Sequence, residues 1–170
     1  MEPRSGSAQS IDLRRGAAEQ RRAVVGAGIR GHKSTILRHL SQDLAETASF
    51  YVWQDDKRLV LYRVEEGAAG LHGAPAEAGR GSRAALAVSR GERDPETASV
   101  SAPVFGSSGE LVGALTMSGP KGRFDLPPIL AEAVRALLAG AKRATVALGG
   151  DGGRFEASLA AAGAAGFRVG

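Results

Sequence analysis

Residues 99–117 read Ser-Val-Ser-Ala-Pro-Val-Phe-Gly-Ser-Ser-Gly-Glu-Leu-Val-Gly-Ala-Leu-Thr-Met. Two runs suited to strands, Ser99 to Phe105 and Glu110 to Met117, flank the turn Gly106-Ser107-Ser108-Gly109. A four-residue connection between two such runs is a hairpin signal. Pro103 offers no N–H to a neighbouring strand, so the first run belongs at a sheet edge or a bulge. Thr116 and Ser118 lie two apart, so they share one face of the second strand.

A second hairpin precedes it. Ser49 to Gln54 (SFYVWQ) holds three of the eight aromatic residues, Asp55-Asp56-Lys57 makes a turn, and Arg58 to Val64 (RLVLYRV) returns. Apolar residues on both faces suggest a sheet covered on each side.

Helical periodicity brackets these hairpins. Ser34 can cap a helix running to about Thr47, with Ile36, Leu37, Leu40 and Leu44 on one face. Asp125 is an N-cap candidate, and Pro127 and Pro128 suit a first turn. The stripe Leu130, Val134, Leu137, Ala141, Ala144 and Leu148 then carries a long helix to the stop at Gly149 and Gly150. Residues 65–82 and 89–96 read as loops, with a turn or two of helix from Ser82 to Ala87. The sum is an α+β fold, an antiparallel sheet of two hairpins flanked by helices with a long C-terminal helix. The expected division is a basic, disordered arm (1–33), one domain (34–149) and a Gly/Ala-rich tail (150–170). A small ligand would sit in a hollow between sheet and loop.

Composition narrows the function. The 170 residues include no cysteine, which excludes a disulfide scaffold and any thiolate site. No run of 18 apolar residues exists, so no membrane span is expected, and the polar start MEPRSGSAQS is no secretion signal. A cytoplasmic location follows as the expectation. The net charge of +4 sits wholly in residues 1–33, where seven basic residues face three acidic ones. Such an arm could touch nucleic acid weakly, but no aromatic residue interleaves the arginines to stack on bases.

Several motifs resemble chemistry without completing it. Gly26-Ala27-Gly28-Ile29-Arg30-Gly31 satisfies G-x-G-x-x-G, after a strand-like segment and before a helix. Asp55 and Asp56, the carboxylates that would grip a ribose, lie beyond the usual spacing, and no β-α-β alternation follows. A nucleotide-binding module remains an alternative reading of this stretch. His32 breaks the Gly-Lys-Ser continuity of a phosphate loop. The three histidines, His32, His39 and His72, lack metal-ligand spacing, and no metal or cofactor is expected. Without G-x-S-x-G or a histidine near the serine clusters, no serine has a base to activate it, and no enzyme is expected.

The order of pieces in residues 86–123 carries a resemblance. Ser-Arg-Gly-Glu at 89–92, Ser-Val-Ser-Ala-Pro-Val-Phe at 99–105, Gly-Glu-Leu-Val-Gly-Ala-Leu-Thr-Met-Ser-Gly-Pro at 109–120 and Arg123 together resemble the C-terminal effector-binding domain of the IclR family of bacterial transcription regulators. The likeness extends upstream through Glu46-Thr47-Ala48 and the first hairpin, and downstream through the long helix, over about 115 of the 170 residues. It implies a GAF-like α+β fold that senses a small organic acid, carboxylic or aromatic, and assembles as a homodimer or homotetramer. It implies an effector pocket lined by residues matching Ser89, Ser99, Thr116 and Ser118. The chain departs from the pattern twice. Only 33 residues precede Ser34, without a helix-turn-helix pattern, so DNA would be reached only indirectly or weakly through the arm. The sequence also passes almost directly from the helix near Ala87 to Ser89, so a helical lid is missing and the pocket would stand open to water. A ligand-less dimerisation remnant is therefore the second alternative.

Overall fold

The computed structural model describes residues 35–54, 57–65, 86–90 and 94–164. The basic arm, the Gly26–Gly31 motif, His32, His72 and most of the 65–82 loop lie outside them. Helix α1 (35–44) opens the described chain. Five strands follow: β1 (Thr47–Gln54), β2 (Lys57–Val64), β3 (Ala87–Arg90), β4 (Thr97–Phe105) and β5 (Leu111–Pro120). Helices α2 (Lys121–Phe124) and α3 (Pro127–Ala147) come next, then a 3-10 turn (Gly152–Phe155) and α4 (Glu156–Gly163). The strands form one antiparallel sheet in the order β2-β1-β5-β4-β3. The two expected hairpins, β1–β2 and β4–β5, meet through β1 and β5 at its centre.

Strand alternation builds the core. Ala48, Phe50 and Val52 of β1, Val100, Ala102 and Val104 of β4, and Leu115 and Met117 of β5 project to one face, where they are buried with the α1 and α3 stripes. Gly140 lets the two helices close on each other. A Cβ there would stand 3.2 Å from Leu40 Cδ1, a tight contact that a larger residue makes worse. Gly149, at φ +76, ends α3 in the left-handed region expected of a helix-stopping glycine.

Pro103 fits its strand because β3 covers only Ala98 to Ser101 of β4, leaving the rest as an edge. At that edge the Phe105 N–H donates to the buried Thr145 hydroxyl of α3 at 3.1 Å, so a helix side chain stands in for the missing strand.

Four expectations change. The first helix ends at Leu44, and Thr47 already belongs to β1. Asp125 follows α2 as its C-cap, while Leu126 precedes α3, with Pro127 and Pro128 at its first positions. Its carboxylate therefore caps nothing at the start of α3. Ala87 to Arg90 form strand β3, where a turn of helix and a loop were expected, because pairing with β4 overrides the polar local sequence. Within the expected tail, residues 151–164 are structured. Asp151 caps its 3-10 turn by accepting from the Gly153 N–H at 2.8 Å. Phe155 is 1% exposed, and its ring lies 6.3 Å from that of Phe105. Arg154 stacks over the Phe105 ring, 4.6 Å from its centroid.

Candidate functional site

The sheet face opposite the helices is lined with hydroxyls. Alternation places Thr47 and Ser49 of β1, Thr97, Ser99 and Ser101 of β4, and Thr116 and Ser118 of β5 on it. Register then aligns them in rows across the strands. Ser89 pairs with Ser99, Ser99 with Ser118, and Ser118 with Thr47. The adjacent row runs from Ser101 to Thr116 to Ser49, and ends on Arg63 of β2. All four residues singled out from the sequence, Ser89, Ser99, Thr116 and Ser118, thus share this face. Three stand in one row, and Thr116 stands in the next. Thr47, Ser49, Ser101 and Arg63 were not anticipated. Ser49 and Thr47 alternate with apolar Ala48 and Phe50, the period-two signal that could have flagged them.

These hydroxyls are closed to solvent. Ser99 is 1% exposed, Thr116 fully buried and Ser118 3% exposed. The expectation of a face open to water is therefore corrected. Polar groups held there act in a low dielectric, where each hydrogen bond is electrostatically stronger than in water. Ser101 Oγ and Thr116 Oγ1 are 2.9 Å apart and hydrogen-bond each other. Thr97 donates its hydroxyl proton to Asp94 Oδ2 at 2.9 Å at one end of the face. At the other, Arg63 donates from Nε to Ser49 Oγ at 3.4 Å and pairs with Glu65 at 3.6 Å.

An ion pair closes one end of the sheet on the helix side. Glu46, buried between α1 and β1, lies with its Oε1 3.2 Å from Arg123 Nε, while Arg123 Nη2 donates to the Leu44 carbonyl at 3.1 Å. The pair lacks hydrogen-bond alignment, and Glu46 Oε1 is left without a hydrogen-bond partner. Burial raises the Glu46 pKa, and the Arg123 charge offsets only part of that rise. The carboxylate rests against Gly119, where any side chain would collide with it. Ser41 secures the same turn by donating its hydroxyl to the Glu46 carbonyl at 2.6 Å.

Serine and threonine hydroxyls donate one hydrogen bond and accept others, so the rows can match either polarity of a ligand. As nucleophiles they would need a base. Among the described residues the one histidine, His39, is exposed on α1, which packs on the other face.

Residues 76–145 match the family model described as "Bacterial transcriptional regulator IclR C-terminal". Solved structures agree in fold. A protein of Silicibacter sp. TM1040, described as an IclR transcriptional regulator, superposes at TM-score 0.65 and 21% identity, over 84% of this chain and 73% of that one. The C-terminal domain of the E. coli transcriptional regulator KdgR gives 0.58 and 16%, over 72% and 98%. Pseudomonas aeruginosa HmgR gives 0.58 and 19%, over 88% and 79%. No curated protein matches the chain. Residues 76–145 thus resemble an IclR-type C-terminal domain in sequence, and the chain shares its fold with solved structures of such domains. The matched model describes the C-terminal domain of bacterial transcriptional regulators. No helix among the described residues is long and apolar enough to cross a membrane.

Proposed function

We propose that the chain is a transcription-regulator effector domain whose hydroxyl rows receive a small organic acid, carboxylic or aromatic, in the cytoplasm. Ser89, Ser99, Thr116 and Ser118 supply hydrogen bonds to it, and the domain self-associates as a dimer or tetramer. DNA is reached through a partner or weakly through the basic arm. The observation that carries this reading is the cross-strand alignment of Ser89, Ser99 and Ser118, with Thr116 beside them, on one buried face. Rigid strands hold such donors in place, so an occupant does not bear the cost of ordering them.

The test is thermal denaturation of the full chain against a panel of carboxylates, with NAD and FAD as comparators. A ligand that binds only the folded state raises the melting temperature in proportion to its occupancy. Acid-specific stabilisation supports the reading, and nucleotide-specific stabilisation assigns the function to residues 26–31 instead. Silence from every ligand, with a dimer in light scattering, leaves an interaction module.

A further inference from the structure

The hydroxyl face has a charge at one end that the sequence did not single out. Ser49 is paired directly with Arg63 on one side and with Thr116 on the other. Side chains directly opposite in an antiparallel pair have their Cβ atoms about 5 Å apart. Any group lying over Ser49 therefore meets a guanidinium from β2 and a hydroxyl from β5. Arg63 already reaches inward, with Nε on Ser49 Oγ at 3.4 Å and its side chain 24% exposed. It stands at the end of the row that runs from Ser101 through Thr116 to Ser49. Its Nη1 lies 3.6 Å from Glu65 Oε1, a carboxylate 42% exposed at the end of the same strand.

We infer that Arg63 is the charge receptor for the acid group of the effector, and that the Glu65 carboxylate is a resident counter-ion which the incoming acid displaces. This rests on the acid-sensing reading above and deepens it. The hydroxyls alone would accept a neutral amide almost as readily as a carboxylate, because they donate to either. A guanidinium discriminates, since charge-assisted hydrogen bonds are about twice as strong as neutral ones. Glu65 already supplies a carboxylate to this guanidinium, so a bound acid exchanges one for another. Its weak, partly solvated pairing makes the exchange cheap.

The experiment measures Kd by calorimetry on the full chain for near-isosteric pairs, benzoate against benzamide and propionate against propionamide. Wild type is expected to prefer the acid by about tenfold or more, the usual worth of one hydrogen bond to a charged group. Arg63→Gln is expected to bind acid and amide alike. Glu65→Gln, a surface change that leaves the fold intact, is expected to tighten acid binding, since one competing carboxylate is gone. A wild-type chain that binds acid and amide equally overturns the inference. So does an Arg63→Gln chain that keeps the full preference, although the acid reading of the face survives. Glu65→Gln binding the acid no more tightly than wild type overturns the exchange. A wild type that no acid occupies overturns the acid reading itself, and Arg63's role with it.

Discussion

Ser101 Oγ and Thr116 Oγ1 stand 2.9 Å apart across β4 and β5, both fully buried. Each satisfies the other in a place that water does not reach. Thr116→Val removes one partner and strands the other, at a cost of about 1–3 kcal/mol. Removing both with Ser101→Ala/Thr116→Val should cost less than the two single changes added together. Urea denaturation of the four chains measures the coupling. Strict additivity would contradict the contact.

Glu46 gives the fold a pH dependence with a definite sign. Its folded pKa is raised above the ordinary 4.5, chiefly by burial. Between the two values the folded chain holds more protons than the unfolded one, so this group's contribution falls as pH rises through that window. It is fully present below 4.5 and lost above the folded pKa. Glu46→Gln cannot titrate. The stability of the variant relative to wild type should therefore improve as pH climbs from 4.5 towards neutrality. Removing the offsetting charge with Arg123→Ala should widen the window upward. Denaturation at several pH values checks both, and a pH-independent difference would contradict them.

Ala45, at φ 53, ends α1 in the left-handed region, where a Cβ is strained and glycine is the usual residue. It is exposed, so no packing is lost by trimming it. Ala45→Gly should raise stability by about 0.5–1 kcal/mol, despite the greater freedom of glycine in the unfolded chain. Thermal or urea unfolding measures this, and a loss of stability would show that the strain is absent.

Phe155 tests the standing of the C-terminal segment. Its buried ring against Phe105 predicts that Phe155→Ala costs about 3–5 kcal/mol, in the range for large-to-small core changes. Truncation after Gly150 should cost at least as much. A truncated chain as stable as the full one would restore the view of this segment as a tail.

The strands and the long helix were legible because their signals are local. Period-two runs gave β1, β2, β4 and β5, and the 4-3 spacing from Leu130 to Leu148 gave α3. What stayed hidden depends on pairing. Nothing in the order of residues says that β1 and β5 lie side by side, so Ser49 and Arg63 could not be joined to Thr116 in advance. Ala87 to Arg90 reads as turn material until β4 supplies hydrogen bonds. Phe155, a single aromatic residue in the stretch 151–164, carries no periodic signal. Thr116 and Ser118 were visible because a single strand places both on one face, and Ser89 and Ser99 because the family resemblance named them.

The hydroxyl face as an acid receptor is tested most directly by an amide-detected NMR titration with the carboxylate that stabilises the chain most. Backbone signals of Ser89, Ser99, Ser101, Thr116 and Ser118 should move together along one saturating curve, while those of α4 stay still. Shifts confined to other parts of the chain, with these five residues unmoved at saturation, would contradict the account.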